Sequence, residues 1–305
     1  MPELPEVETV REGLAGHVVG RTVAAVEVHG DRLGHRILRH QGGGVDEFVS
    51  RLRGRSFAAV VRRGKFLWLP LAEHDGAAGE ALLAHLGMSG QFRIPAEPDQ
   101  HRQLRVRLRF ADGGVLDFYD QRTFGYLTVA DLEPTADGEP GGHGDPLPRL
   151  PAPAANIARD LLDPLRAAGT AGRRELVETF QASRRGVKGL LLDQNLISGV
   201  GNIYADEALW RARVHYATPG TALSRPRLQQ VLEDAADVMR RALAVGGTSF
   251  DSLYVNVNGA SGYFSRSLHV YGRQGQPCDR CGTNIVRESF MNRGSHFCPR
   301  CQQQC

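Results

Sequence analysis

Leu104-Arg105-Val106-Arg107-Leu108-Arg109-Phe110 alternates apolar and cationic side chains without a break. Successive side chains on a β-strand point to opposite faces. This period of two therefore places Leu104, Val106, Leu108 and Phe110 in a core and three guanidinium groups on the other face. Asp112-Gly113-Gly114 turns the chain into a second strand over 115–119, a predicted hairpin. Toward the N-terminus, 66–69 is a short apolar run after Arg62-Arg63-Gly64, and 22–28 is β-branched and apolar. Residues 5–15 read as a helix: Pro5 suits its first position, Glu6 and Glu8 its first turn, and Val7, Val10 and Leu14 share a face. Gly16 is expected to end it. The first half is thus mostly β.

From 133 to 153 the composition shifts to Pro, Gly, Asp and Ala, with prolines at 134, 140, 146, 148, 151 and 153. Such a stretch predicts an exposed linker or long loop at a domain boundary. Beyond it the pattern is helical, with helices expected over 173–181, 187–193, 204–213 and 227–245. The third follows the glycine-punctuated turn Ser198-Gly199-Val200-Gly201. In the last, Leu228, Val231, Leu232, Ala235, Val238, Met239 and Leu243 recur at helical spacing and Gly246-Gly247 closes the run. There is no internal repeat.

All five cysteines lie in the last 28 residues. Cys278-x2-Cys281, sixteen residues, then Cys298-x2-Cys301 is a four-thiolate zinc spacing, each pair presenting two sulfurs to one tetrahedral ion and an intervening hairpin joining the pairs. A closed four-cysteine shell has no open position for substrate, so one structural zinc ion is expected. Cys305 is left without a role. Five arginines (273, 280, 287, 293 and 300) accompany this module. Arg293, at the Met291-Asn292-Arg293-Gly294 tip, is suited to a phosphate; a solvated charge on a small stabilising module is the plainer alternative.

Composition is otherwise ordinary: 305 residues, 41% hydrophobic, 23% charged, net charge +3. The length suggests about two domains. Bulk charge does not announce a nucleic-acid partner. No apolar run approaches the ~18 residues of a membrane span, and Glu3, Glu6, Glu8 and Glu12 exclude a secretory signal over the first 20 residues. One count stands out. Of 37 basic residues only Lys65 and Lys188 are lysine. A lysine that persists where arginine is otherwise universal is a candidate for a place arginine cannot fill, since an ammonium is a compact point charge that can be tuned to give and take protons.

The chain opens Met1-Pro2-Glu3-Leu4-Pro5-Glu6-Val7. Proline in second position predicts removal of the initiator methionine and a secondary amine at the start of the chain. Such an amine condenses with an aldehyde carbon to an iminium that is already cationic. An α-amino group titrates near pH ~8, so a useful fraction is neutral and nucleophilic, and the Glu3 carboxylate could handle protons beside it. Alone this is weak. The ordered set Pro2-Glu3-Leu4-Pro5-Glu6-Val7, Arg63-Gly64-Lys65, His85-Leu86-Gly87-Met88-Ser89-Gly90, Asp120-Gln121-Arg122-Thr123-Phe124-Gly125, Gly199-Val200-Gly201-Asn202-Ile203-Tyr204-Ala205-Asp206-Glu207 and the four-cysteine ribbon resembles the bacterial formamidopyrimidine-DNA glycosylase family from residue 2 to residue 301.

That resemblance implies an α+β protein: an N-terminal β-sandwich with flanking helices, a C-terminal helical domain with a helix–two-turns–helix motif, a zinc-ribbon hairpin, and DNA in the cleft between domains. The expected divisions are a catalytic domain over 1–133, a linker over 134–165, the helical DNA-binding domain over 166–270 and the ribbon over 271–305. It also implies a bifunctional repair enzyme that excises oxidised purines such as 8-oxoguanine and then cleaves the strand by β,δ-elimination. By resemblance, Pro2 attacks C1′, Glu3 is the acid/base, Lys65 the phosphate-binding proton donor of β-elimination, and Arg293 the proton donor of δ-elimination. Lys188, Asn202, His85, His101 and Arg122 match DNA-contacting positions. Met88, Arg122 and Phe124 match the wedge that fills the hole left by an extruded base. The stretch 252–264 falls where the family's loop closes over that base.

The implied partner is double-stranded DNA carrying oxidised bases or abasic sites, bound by a cytoplasmic bacterial monomer with one structural zinc and no organic cofactor. Two departures stand out: Arg122-Thr123 where two arginines are common, and Ser183-Arg184-Arg185 where the family is lysine-rich, so that Arg184 is a candidate contact of uncertain register. An endonuclease VIII-type enzyme for oxidised pyrimidines is one alternative, against which Leu4 and the full wedge speak. A catalytically inactive zinc-ribbon DNA-binding protein is the other, against which Pro2, Glu3, Lys65 and Arg293 speak.

Overall fold

The structure, a computed structural model, describes residues 2–72, 79–97, 100–247 and 267–304. The chain divides into two compact units, Met1–Asn156 with Gly246–Gly262, and Ile157–Val245 with Tyr263–Cys305. In the first unit the elements run α1 (Leu4–Val18), β1 (Val23–Val28), α2 (Asp31–Ile37), α3 (Gly44–Leu52), β2 (Val61–Arg63), β3 (Phe66–Pro70), β4 (Glu80–His85), β5 (Gly90–Arg93), β6 (Leu104–Phe110), β7 (Val115–Asp120), β8 (Tyr126–Pro134) and β9 (Arg149–Pro151). They form two antiparallel sheets, ordered β1-β6-β7-β5 and β2-β3-β4-β8-β9.

The alternating stretch is β6, and its apolar face is buried as its period requires. Val106, Leu108, Phe110 and Phe118 of one sheet pack with Leu67, Leu69, Leu82 and Val129 of the other, closed at the ends by Val7, Val10 and Leu14 of α1 and Phe48 and Leu52 of α3. The opposite face of β6 is largely buried as well. Arg105 and Arg107 are buried, and only Arg109 is exposed. Arg107 forms an ion pair with Asp117 at 2.6 Å, directly across on β7, while Arg105 donates to the Asp120 carbonyl at 2.9 Å. Periodicity assigns a face; it does not say that the face is wet. Helix α1 also runs past Gly16, because Val18 is itself a core residue.

The stretch 134–153 is mostly exposed and largely loop, one of its two expected forms, but it does not act as a linker: it folds back onto the five-stranded sheet. β9 pairs with the end of β8, and His143 exchanges backbone hydrogen bonds with Arg62 at the β2 edge, at 2.8 and 2.9 Å. Val61, Trp68 and Leu83 are register neighbours on the outer face of this sheet, and Leu150 joins them in a second small core. Its glycines serve close approach: a Cβ on Gly142 would lie 2.5 Å from the Arg62 carbonyl oxygen and 2.7 Å from the Trp68 ring.

The second unit comprises α4 (Ala171–Gln181), α5 (Val187–Leu191), α6 (Asn202–Ala212), α7 (Arg225–Ala244) and the hairpin β10 (Val286–Phe290) and β11 (Arg293–Phe297). Leu228, Val231, Leu232, Ala235, Val238 and Met239 form the buried face of α7, as their spacing predicts. A β-sandwich flanked by helices, a helical second half and a terminal ribbon are thus all present. No helix among the described residues is long and apolar enough to cross a membrane. Residues 252–264 and Cys305 lie outside the described residues.

Candidate active site and zinc centre

Pro2 and Glu3 are buried at the head of α1. Glu3 is the residue that caps the helix, and its backbone N–H donates to Glu6 Oε2 at 2.9 Å, the reciprocal arm of a capping box. Farther along α1, Glu8 accepts from Arg62 Nε and Arg11 Nε, both at 2.6 Å, and lies 2.9 Å from His143 Nδ1. Burial alone would raise the Glu8 carboxyl, but the two guanidiniums outweigh it and hold the group below its ordinary range. This buried pair fastens α1 to β2, the strand that runs into Gly64 and Lys65, the two-residue turn before β3.

Lys65 is buried in that turn, and its charge acts on His85, which faces Phe66 across the β3–β4 ladder. Burial, together with the charges on Lys65 and Arg39, pushes the His85 imidazole down to about 4. It is therefore neutral at physiological pH. Its Nδ1 accepts from the Gly87 N–H at 3.1 Å, which leaves Nε2 as the proton-bearing nitrogen and a hydrogen-bond donor. The structure thus brings Lys65 and His85 together.

Met88, Arg122 and Phe124 are exposed, and the Arg122 guanidinium lies 4.9 Å from the centre of the Phe124 ring. Their support is Asp120, which motif reading quoted without a role. Its buried carboxylate accepts from Ser89 Oγ at 2.5 Å and from the backbone N–H groups of Arg122, Thr123 and Gly125 at 3.1, 2.9 and 2.7 Å. Thr123 is held at φ +53, a costly conformation for a β-branched residue. The loop of Met88 is locked to this turn at Gly87 (φ +60), where a Cβ would sit 2.4 Å from the Phe124 carbonyl carbon. Arg39 completes the frame by donating to the carbonyls of Phe124 and Gly125. An Asp just before a polar turn is a sequence signal for such side-chain-to-backbone bonding; Arg39 carries none. His101 stands on the loop before β6, exposed, its ring edge-on to Tyr119.

In the second unit, Arg293 opens β11 after the two-residue turn Met291-Asn292 (φ +49 and +58) and is exposed. The next residue fixes it. The Gly294 carbonyl accepts from Asn202 Nδ2 at 2.9 Å and from Lys188 Nζ at 3.2 Å. The structure corrects the expectation for Lys188. Rather than meeting phosphate at a surface, its ammonium is fully buried, 2.7 Å from Asp206 Oδ1 and 2.7 Å from Ser295 Oγ. Asp206 Oδ2 accepts in turn from the His296 N–H at 2.9 Å. Lys188 therefore binds α5, α6 and β11 together.

Cys278, Cys281, Cys298 and Cys301 bring their sulfurs within 4.8 Å of one another, a fit for one tetrahedral ion. Hydrogen bonds involving Thr283 hold the Cys281 thiol down at about 6, while burial and the neighbouring sulfurs push Cys301 up to about 12. Four thiolates so close repel one another, and a divalent cation resolves that conflict.

Three family models match the chain: the Formamidopyrimidine-DNA glycosylase N-terminal domain over residues 1–127, the Formamidopyrimidine-DNA glycosylase H2TH domain over 162–253, and a zinc finger found in FPG and IleRS over 275–304. Among its relatives, the formamidopyrimidine-DNA glycosylase of Leifsonia xyli subsp. xyli is 55% identical over 99% of this chain and 100% of its own, and that of Streptomyces avermitilis 54% identical over 99% and 98%. Similar solved structures include the MutM (FPG) protein from Thermus thermophilus (TM-score 0.79, 32% identity, 100% of both chains). Another is Lactococcus lactis Fpg in complex with DNA containing an abasic site (TM-score 0.80, 26% identity, 99% of this chain and 100% of that one). A MutM in complex with DNA containing carbocyclic 8-oxo-G matches with TM-score 0.80 and 27% identity over 99% and 100%.

Two outcomes follow from this geometry. The unfolded chain protonates His85 near its ordinary 6.5 and the folded chain only near 4, so stability is lost as pH falls through that window. Urea unfolding at pH 7 and pH 4.5 should show a smaller drop for His85→Gln than for the parent; equal drops would mean the imidazole is not held neutral. Lys188→Met strands the buried Asp206 carboxylate and should cost about 3–5 kcal/mol in denaturant unfolding. A loss of stability below about 1 kcal/mol would mean that the ammonium is not buried against Asp206.

Proposed function

The chain belongs to the formamidopyrimidine-DNA glycosylase family, and from that premise we propose which of its residues carry out the excision of oxidised purines from duplex DNA and the cleavage of the abasic strand. Pro2, freed by removal of Met1, is the nucleophile. Its secondary amine attacks C1′ of the damaged nucleotide, and the C1′–base bond breaks as the N–C1′ bond forms. Glu3 handles the protons of base departure and sugar opening, giving the ring-opened iminium. The iminium draws electron density from C2′, whose proton is then removed, and β-elimination expels the 3′ phosphate. A second elimination expels the 5′ phosphate. Lys65 and Arg293 are the cations proposed to bind phosphate and supply protons to these two steps. Cys278, Cys281, Cys298 and Cys301 would hold zinc with four thiolates and no position for substrate, so that its part would be to support the hairpin that bears Arg293.

The observation that carries this reading is the head of α1. Chain ends normally fray, yet Pro2 and Glu3 are buried and capped, on a helix pinned by Glu8–Arg62 to the strand leading into Lys65. Within the same unit, neutral His85 offers Nε2–H to a phosphate and His101 is a further polar contact; in the second unit Asn202 is the proposed polar contact to DNA. Exposed Met88, Phe124 and Arg122 suit the hole left by an extruded base, since two apolar groups and a guanidinium can stack where the base stood. Lys188 takes part as a positioning residue for Arg293. The relatives are from bacteria, and a chromosomal DNA substrate supports a cytoplasmic location. Preference for oxidised pyrimidines is not favoured, because relatives across the full chain are named for formamidopyrimidine lesions.

Borohydride reduction should trap the protein covalently on a duplex with 8-oxoguanine opposite cytosine. Glu3→Gln should slow base release by about 10²–10⁴-fold while still being trapped on a preformed abasic site. Trapping only on a pyrimidine-lesion duplex, or base release unaffected by Glu3→Gln, would contradict the assignment.

A further inference from the structure

The four-cysteine site is joined to α6 by more than apolar packing. Trp210, in the last turn of α6, is buried in a cluster with Val270, Cys278, Ile285 and Cys298. Its indole Nε1–H points a hydrogen bond at Cys278 Sγ, 3.4 Å away. The ring is held in place by the knuckle itself. Arg280, between Cys278 and Cys281, sets its guanidinium 3.8 Å from the ring centre and donates to the carbonyls of Trp210 and Arg211 at 2.6 and 3.1 Å. Asp279, the other residue between those cysteines, pairs at 2.8 Å with His269, whose ring stacks on the indole at 4.3 Å with 14° between planes. Both spacer residues of this CxxC thus act on one tryptophan.

We propose that Trp210 is a positioning residue of the zinc centre: its indole N–H donates to the Cys278 thiolate, shares that sulfur's charge and keeps it aimed at the metal, so that α6 and the ribbon retain zinc together. Four thiolates around a dication leave two negative charges in a largely apolar cluster, and a buried N–H donor offsets part of that excess. Of the large apolar side chains only an indole provides one. A phenyl ring would fill the same space and leave the sulfur without this donor, which separates the proposal from simple packing.

The test uses the full chain and Trp210→Phe, each loaded with zinc and, in parallel, with cobalt(II). Zinc affinity measured by competition with a chromophoric chelator should fall about 10–100-fold in the variant, and its sulfur-to-cobalt charge-transfer band should move to lower energy as the thiolate loses its donor. Unchanged affinity, or weaker affinity with an unmoved band, would overturn the proposal in favour of packing. If the variant fails to fold, the unmodified protein loaded with an NMR-active cadmium isotope decides the matter. The indole proton of Trp210 should show scalar coupling to the metal through the Cys278 sulfur, and absence of that coupling would overturn the proposal.

Discussion

A backbone amine is available to a substrate only at a chain end, and a chain end is the part of a protein least inclined to hold still. In the proposed mechanism that amine is Pro2, and the packing of the first unit bears on how firmly it is held. Leu4, Val7, Val10, Leu14 and Val18 drive α1 into the sandwich core, so the residues before it inherit the rigidity of the sheets. The Glu8–Arg62 pair then sets the helix in register with the strand that ends at Lys65. A buried ion pair of this kind contributes little net stability, since desolvation offsets most of the attraction, but losing one partner would leave the other charge buried and uncompensated. The 142–144 segment adds His143 to the same carboxylate and closes the β2 edge, so the stretch with a linker's composition belongs to the frame of the proposed nucleophile.

The second unit solves a comparable problem with one helix. Asn202, Asp206 and Trp210 recur every four residues, which puts them on one face of α6. Asn202 reaches the hairpin tip at Gly294, Asp206 reaches Lys188 and the His296 N–H, and Trp210 reaches the zinc knuckle. Between them Glu207, its carboxyl raised by burial, accepts from the backbone N–H groups of His269, Val270 and Tyr271. Ribbon and helix are thereby fixed along their length, and Arg293 takes its place from contacts one residue away.

Much of this was legible in the sequence, and the exceptions have physical causes. Period-two alternation located β6, and the long apolar stripe located α7, because both are packing patterns written in side chains. The helices α2 and α3 and strands β2, β4, β5, β8 and β9 were not read from the sequence: most are too short to express a period, and β8, though nine residues long, is buried on successive residues without alternation. Alternation put three guanidinium groups on one face of β6 without telling whether that face is wet; Asp117, across the ladder, neutralises Arg107 and lets it be buried. Lys188 is the most instructive case. Its survival in an arginine-rich chain did mark a place arginine cannot fill: Asp206, Gly294 and Ser295 offer three acceptors around one compact ammonium, which a planar guanidinium does not match. The reason was readable and the role was not, because composition carries no information about burial.

The central claim is that the chemistry runs through the Pro2 nitrogen. The most direct test is to reduce the enzyme–DNA intermediate, digest away the DNA and protein, and locate the sugar remnant by tandem mass spectrometry. The account predicts a peptide that begins at Pro2, lacks Met1 and carries the remnant on its terminal nitrogen. A remnant on Lys65, or an N-terminal peptide that retains Met1 in the trapped fraction, would contradict it.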